Sequence, residues 1–448
     1  MQWLQKLMGI LLLAAVARGS EPVQDYRTLV QQASAKVFPS VVFIKCIRET
    51  YEGGRKIFRE VAGSGVIVST NGEVLTNHHV VDKATEVRCM LYDGRPLAAK
   101  VLGSDKDTDL ALLQLQLPAG GAPLVPVAIG DSTALKEGDY VMAMGAPWGL
   151  SRSVSFGIVA CARRYLQEDS EYSLWLQTDA SISPGNSGGP LVNTQSELVG
   201  LNARGVMYGG ELGFAVPSVT IKQLVPALRE HGRMNWSWTG LQVQALHDFN
   251  RNIYFDATNG VVVAGTDPDS PARLAGFQAH DRLLQVNGRA LNALNEEDLP
   301  DVRRLLGLLP KNVAATFSVA RNNQTLTLEV KPREKGQVEG DSLDCPRWDL
   351  TVRAINQFAN PDLYFHQQQG VFIYGVRSGG NAEQAGLRPK DILVSVDEQP
   401  VATLADVKKQ HASALEALPG KHRVTLSVLR NGTLRQCVLD YGRDIEKE

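Results

Sequence analysis

The sequence predicts a mainly β protein that ends in a duplicated α+β module, and three observations carry that reading. Short β-type runs punctuated by Gly, Asn, Asp and Pro fill residues 40–201 with little helix between them. A strand, short helix, Gly turn and strand then occur twice in the C-terminal half. At 448 residues the chain is too long for one ordinary domain and suits about three.

In chain order, Lys6 precedes the apolar run Leu7–Val16, and small residues follow at Ala15, Ala17 and Gly19. A positive start, a short apolar core and a small-residue cleavage site describe a secretory signal peptide over residues 1–19, so the mature protein is expected to be periplasmic or secreted. The apolar run is too short to span a bilayer comfortably, and no later stretch suits a span. No integral membrane segment is therefore expected after signal cleavage. Leu29, Val30, Ala33 and Val37 fall at helical spacing and predict a helix that ends before Pro39.

Strand runs follow at 40–46, 64–69, 85–92, 110–116, 140–144, 174–178, 191–192 and 198–201, with Asn71-Gly72, Asp93-Gly94 and Gly130-Asp131 as turn signals. Residues 221–231 return to helical spacing and close an all-β unit placed at 25–232. The repeat begins with Gly260-Val261-Val262-Val263, Ser270-Pro271-Ala272, Ala275-Gly276-Phe277 and Asp281–Val286. It returns as Gly370-Val371-Phe372-Ile373, Asn381-Ala382, Ala385-Gly386-Leu387 and Asp391–Val396. A longer helix near 299–309 and 404–418, then two strands, completes each copy. The modules are placed at 236–332 and 345–442, with the charged, apolar-poor stretch 331–344 as a linker.

Composition excludes some classes. A net charge of −2 offers no basic field for nucleic acid. Five cysteines leave at least one thiol unpaired, and none stand in C-x-x-C spacing, so neither a zinc site nor any other metal or cofactor is expected. Cys46 and Cys89 sit in apolar runs as packing residues. A Cys345–Cys437 bridge is one hypothesis for the last module.

Three segments carry chemistry: Leu75-Thr76-Asn77-His78-His79-Val80-Val81, Asp107-Thr108-Asp109-Leu110-Ala111-Leu112, and Ser183-Pro184-Gly185-Asn186-Ser187-Gly188-Gly189-Pro190. A serine hydroxyl becomes a useful nucleophile when an imidazole takes its proton and a carboxylate orients that imidazole. The glycine-rich Gly185-Asn186-Ser187 turn lets the N–H groups of Gly185 and Ser187 converge on a developing oxyanion. Singly, each segment is weak: a lone His is usually structural, and a lone Asp before a strand is usually a turn residue. The Gly-rich segment also satisfies the G-x-S-x-G pattern of α/β hydrolases. Those enzymes run Ser, acid, His with a helix after the Ser, whereas here the His and Asp candidates come first and Pro190-Leu191-Val192 continues as strand. The order is that of the chymotrypsin arrangement. Spacing leaves His78 against His79, and Asp107 against Asp109, open.

Residues from about 25 to 441 resemble the HtrA (Deg-type) serine protease family, a chymotrypsin-like protease followed by two PDZ domains. Besides the three segments, the match includes Gly63-Ser64-Gly65-Val66-Ile67, Met144-Gly145-Ala146-Pro147-Trp148-Gly149, Gly157-Ile158-Val159, Thr178-Asp179-Ala180 and Gly213-Phe214-Ala215-Val216-Pro217. The resemblance implies a double β-barrel with the catalytic residues in the cleft between barrels. It selects His79, directly before the Val-Val pair, and Asp109, directly before Leu-Ala-Leu, as partners of Ser187. The oxyanion turn is then Gly185, Asn186 and Ser187. Asn186 stands where trypsin-like zymogens carry an Asp, so activation by clipping is not expected. Loops are expected to order the oxyanion site instead, with Arg164 in a sensing loop over about 162–173. Ser181, six residues before Ser187, gives a neutral pocket floor; with Leu201, Asn202 and Ala203 as walls, small or medium aliphatic side chains are the expected preference.

PDZ domains bind a peptide carboxylate and add the peptide as a strand. Gly240 and Leu241 occupy the carboxylate-loop position of the first copy, and Trp348-Asp349-Leu350 that of the second. Asp349 makes the first copy the expected binder of C-terminal peptides. The resulting expectation is an ATP-independent endopeptidase for unfolded or damaged exported polypeptides, assembled as a homotrimer or a multiple of it, without nucleic acid. A non-catalytic holding chaperone or scaffold on the same fold is the alternative.

Overall fold

The computed structural model describes residues 25–147, 152–206, 212–248, 257–336 and 339–444. The predicted signal peptide lies outside the described residues, as do Trp148 and Gly149. The first helix, α1 (Tyr26–Val37), starts where Asp25 accepts a hydrogen bond from Arg27 N at 3.1 Å and buries Ala33 and Val37. Six strands then close a first barrel: β1 (Val41–Glu52), β2 (Arg55–Ile67), β3 (Glu73–Thr76), β4 (Ala84–Met90), β5 (Pro96–Asp105) and β6 (Leu110–Leu115). One helical turn, α2 (His78–Val81), follows β3. A second six-stranded barrel holds β7 (Tyr140–Gly145), β8 (Ser153–Arg164), β9 (Trp175–Thr178), β10 (Pro190–Asn193), β11 (Leu198–Val206) and β12 (Leu212–Pro217). Helix α3 (Ser218–His231) then buries Ile221, Leu224 and Leu228 in the core that joins the barrels.

The β1–β2 hairpin is far longer than the predicted runs. Its outer half, Ile47–Glu52 with Arg55–Val61, is rich in charge and holds no buried residue, so it lacks the apolar–polar alternation that marks a strand with one face in the core. It turns on Gly53 and Gly54, both at positive φ. A Cβ on Gly54 would lie 2.3 Å from Arg377 N, because the hairpin tip is pressed against the last module.

The first module contains β13 (Ser237–Trp238), β14 (Leu241–Gln244), β15 (Val261–Thr266), α4 (Pro271–Leu274), β16 (Arg282–Val286), β17 (Arg289–Ala290), α5 (Leu299–Gly307), β18 (Ala315–Arg321), β19 (Gln324–Val330) and β20 (Arg333–Glu334). Its main sheet runs β14-β15-β16-β18-β19, so β14 is an edge strand. The second module contains β21 (Ser342–Cys345), β22 (Leu350–Ala354), α6 (Pro361–His366), β23 (Val371–Val376), α7 (Asn381–Gln384), β24 (Ile392–Val396), β25 (Gln399–Pro400), α8 (Leu404–Glu416), β26 (Arg423–Arg430) and β27 (Thr433–Asp440). Here the counterpart of β14 is β22, and β21 pairs with its outer edge in the register Ser342↔Arg353 to Cys345↔Leu350.

Two expectations are corrected. The stretch 331–344 is not a plain linker: it supplies β20, which pairs with β13, and most of β21. Cys345 and Cys437 are both free thiols, since their strands β21 and β27 lie at opposite edges of the sheet. Cys46 and Cys89 are each 1% exposed in the first-barrel core, as expected of packing residues.

The two copies differ at one paired position. In the first, Gly240 sits at φ +74, and a Cβ there would lie 2.1 Å from Ser270 Cβ; Ser270 caps α4 by accepting from Arg273 N. In the second, Asp349 stands in the corresponding left-handed position at φ +55, and the α7 cap is Gly380. Asp349 Oδ2 instead accepts from Asn381 N at 2.9 Å, capping α7 from across the loop, and its other oxygen faces Arg377.

Candidate active site

The site is assembled from loops on both barrels. At α2, Val80 and Val81 are buried in the first-barrel core, which turns His79 toward the cleft. Asp109 ends the β5–β6 turn, directly before β6. Its carboxylate meets His79 twice: Nδ1 lies 2.8 and 3.0 Å from its two oxygens, and His79 N donates to Oδ1 at 3.0 Å. Asn77 Nδ2 donates to the Asp109 carbonyl at 3.0 Å, fixing the turn against β3. A carboxylate on Nδ1 leaves Nε2 as the free face of the ring, the tautomer a general base needs. His78 points elsewhere, with Nδ1 3.2 Å from Ser104 Oγ and Nε2 3.6 Å from Asp82; burial holds its pKa below the usual imidazole range. Asp107 is held by Lys335 at 2.7 Å.

The nucleophile turn belongs to the second barrel but is braced by the first. Ser64 N donates to Ser187 O at 2.7 Å. Ser64 Oγ donates to Gly185 O at 2.6 Å and accepts from Ala146 N at 2.8 Å. Gly188, at φ +83, passes so close that a Cβ would lie 2.1 Å from Ser64 O. Among the described residues, the N–H groups of Gly185 and Ser187 have no protein acceptor, as donors aimed at a substrate oxygen require. Asn186 does not join them: its N–H donates to Ser183 O at 2.9 Å and its side chain is buried beside Ser153. The Ser187 hydroxyl donates to Ala203 O at 2.9 Å rather than to His79, although both side chains line the same cleft.

That cleft, about 480 Å³, is lined by His79, Ser181, Ile182, Ser183, Pro184, Ser187, Ala203, Arg204, Gly205 and Leu212. Ser181 and Ala203 both line this cleft. Leu201 and Asn202 do not line it: both are 0% exposed. Leu201 packs in the core, and Asn202 Nδ2 donates to Met144 O and Pro190 O. Ile182 and Leu212 supply the apolar walls instead.

Arg164 is also misjudged as a loop residue. It lies on β8, paired with Trp175, and donates to Gln177 within the barrel. The residue that leaves the barrel is Tyr172, whose ring stacks on Trp236 at 4.0 Å. Arg303 and Arg304 of α5 donate to the Ser170 and Tyr172 carbonyls. Nothing in the local pattern around Tyr172 marks it; the signals in the sequence are the helical apolar face of α5 and the pair Trp236 and Trp238 at the domain junction.

In the first module, Gly240 and Leu241 line a cleft of about 490 Å³ between β14 and α5, with Trp238, Leu306, Gly307 and, from outside the module, Glu168, Tyr172 and Phe358. Among the described residues, no cluster of three or more His, Cys, Asp or Glu could hold a metal ion, and no helix is long and apolar enough to cross a membrane.

Comparison with known proteins agrees with this geometry. Residues 63–201 match the family model of the trypsin-like peptidase domain, and residues 239–331 and 351–440 each match that of the PDZ domain. The chain is 32% identical over 482 residues, covering 96% of both chains, to a probable periplasmic serine endoprotease DegP-like of Pseudomonas putida (strain W619). It is 32% identical over 365 residues to the periplasmic serine endoprotease DegP of Escherichia coli (strain K12), covering 80% of this chain and 73% of that one. Among solved structures, the HtrA-type protease AlgW with a tripeptide superposes at TM-score 0.60 with 29% identity, covering 68% of this chain and 97% of that chain.

Proposed function

The chain belongs to the HtrA family of periplasmic serine endoproteases, a trypsin-like peptidase with two PDZ domains, and on that premise we propose that Ser187, His79 and Asp109 are its triad. The observation that carries the assignment is the double contact of His79 with Asp109 beside Ser187 in one cleft. In the resting arrangement Ser187 Oγ rests on Ala203 O. Attack begins when the hydroxyl turns to His79 Nε2, which takes its proton as Oγ bonds to the scissile carbonyl carbon. The new oxyanion is received by Gly185 N and Ser187 N. The imidazolium, stabilised by Asp109, returns the proton to the leaving amine, giving an acyl-enzyme that water clears by the reverse sequence.

The apolar pocket with a neutral floor supports cleavage after small or medium aliphatic residues. The β14 edge beside Gly240 and Leu241, with which no strand pairs among the described residues, supports C-terminal peptide capture by the first PDZ domain. The substrates proposed are unfolded or damaged polypeptides in the periplasm, cleaved without ATP. We assign residues 1–19 to a signal peptide, 25–232 to the protease, and 236–332 and 345–442 to the PDZ domains. A homotrimer is the proposed assembly. Tyr26 on α1, Tyr140 and Phe156 form a mutually packed aromatic patch, 47%, 38% and 38% exposed, of the kind an interface covers.

The test is hydrolysis of unfolded casein by the mature protein beside Ser187→Ala. Loss of activity in the variant is expected; equal activity in both excludes Ser187 as the nucleophile, and activity in neither favours the holding chaperone.

A further inference from the structure

Resting on that assignment of the triad, we propose that Trp236, Lys335 and Glu339 are positioning residues for Asp109: the connecting segments at the two ends of the first PDZ domain grip the turn that presents the triad acid. The turn joins β5 to β6 through Asp105, Lys106, Asp107 and Thr108. Each of its three charged residues ahead of Asp109 is bonded to a connector. Asp105 Oδ1 accepts from Trp236 Nε1 at 3.0 Å. Lys106 Nζ donates to Glu339 Oε1 at 2.7 Å. Lys335 Nζ donates to Asp107 Oδ2 at 2.7 Å.

Two of these contacts are enclosed, and the third, between Lys106 and Glu339, is partly exposed. Asp105 is 6% and Trp236 3% exposed, and the Lys335 and Asp107 side chains are 13% and 15% exposed. The grip is transmitted within the turn, because Asp105 Oδ2 accepts from both Thr108 N and Thr108 Oγ1, at 3.1 and 2.6 Å. The next residue is Asp109, at φ +53. A non-glycine residue stays in that left-handed region when its surroundings over-determine it. Here the surroundings include three contacts from outside the barrel.

The same connectors border the peptide cleft. Asp107 and Lys335 line it together with Gly240 and Leu241, so a peptide added to β14 lies beside the ion pair that holds the turn. Trp236 also stacks on Tyr172, so the connector touches a loop of the second barrel with the same ring that bonds Asp105 in the first. The physical route from cleft to triad is therefore short: Lys335 to Asp107, turn to Asp109, Asp109 to His79.

The experiment compares wild type, Trp236→Phe and Lys335→Gln as full mature chains on a chromogenic peptide ending in an aliphatic residue, with and without an added C-terminal peptide. Phe keeps a ring on Tyr172 and removes only the Nε1–H donor; Gln removes the cation and leaves Trp236 in place. In both, kcat is expected to fall about ten- to a hundredfold with KM changed by less than about twofold, the pattern of a displaced catalytic group. The acidic limb of the kcat/KM profile is expected to move to lower pH, because a carboxylate set back from the imidazole favours its protonated form less. A merely structural role lowers the melting temperature and leaves that limb where it was. Should Trp236→Phe fail to fold, Lys335→Gln decides alone. Wild-type kcat and an unmoved limb in a folded variant overturn the proposal while leaving the triad intact; an inactive wild type overturns the triad itself.

Discussion

Ser64 of the first barrel donates its hydroxyl hydrogen to the Gly185 carbonyl of the second, at 2.6 Å, joining the two barrels at the turn that carries Ser187. The base and acid come from one barrel and the nucleophile from the other, so their relative register depends on such bonds. Ser64 makes three with two residue stretches: its N–H reaches Ser187 O, and its hydroxyl bridges Gly185 O and Ala146 N. Turning the Gly185 carbonyl toward Ser64 leaves the N–H groups on the cleft side free.

Ser64→Ala is expected to lower kcat by about ten- to a hundredfold while KM stays within about twofold, because the oxyanion donors lose their brace. Steady-state kinetics on a peptide substrate checks this. Unchanged kcat would mean that the backbone bond from Ser64 to Ser187 suffices.

The pocket beside Ser187 is lined by Ser181, Ile182, Ala203 and Leu212, together with Arg204, which donates to Asp169. A peptide library is expected to show cleavage after Val, Ala or similar residues well ahead of Arg or Lys. Ser181→Asp is expected to raise the relative rate after Lys and Arg by placing a carboxylate at the floor. Faster wild-type cleavage after Arg than after Val contradicts the pocket as described.

A C-terminal peptide is expected to bind with a stoichiometry of one per chain. Among the described residues no strand pairs with the outer edge of β14 in the first PDZ domain, whereas β21 already lies along β22 in the second. Titration calorimetry on the full chain reads the number directly, and two equivalent sites would show that β21 is displaced by ligand.

Two buried groups give stability opposite pH slopes. Burial lowers the His411 pKa to about 4, with the ring edge-on to Trp348 and Nε2 without a hydrogen-bond partner among the described residues. The unfolded chain binds that proton near pH 6.5, so the contribution is complete above that value and is lost as pH falls toward 4. The loss reaches up to about 3 kcal/mol. His411→Leu is expected to flatten it, measured by amide exchange in the second PDZ domain between pH 4 and 7.

Asp105 behaves the other way. Burial pushes its pKa up to about 6; Asp107 adds to the rise, while bonds from Thr108 and Trp236 and the nearby Lys335 oppose it. Between about pH 6 and the unfolded value near 3.9, the folded chain holds a proton that the unfolded chain does not. Its contribution to stability therefore grows as pH falls through that window. Asp105→Asn is expected to remove that slope, checked by melting temperatures at several pH values.

The chain announces its chemistry where short-range geometry demands particular residues. The Gly-rich turn around Ser187, the His before two buried valines and the Asp at the head of β6 each stand in a local pattern, and the repeat stands out because two sheets must be punctuated alike. The outer β1–β2 hairpin was invisible because its charged faces carry no alternation. Leu201 and Asn202 turn away from the cleft, and position alone does not say which face of β11 meets it. Tyr172, Trp236 and Ser64 were missed as site residues because their roles arise between segments far apart in sequence, where no spacing rule applies.

The paired difference between the two PDZ copies has a further consequence for how such repeats diverge. Gly240 with Ser270 and Asp349 with Gly380 are two solutions to one packing problem, each excluding half of the other. An Asp placed at 240 alone collides with Ser270, and a Gly placed at 349 alone uncaps α7. Recombination between the copies within this loop therefore yields a damaged hybrid unless both halves travel together. The repeats, though still alike in outline, are barred from exchanging this loop piecemeal, and each is left to drift toward its own task.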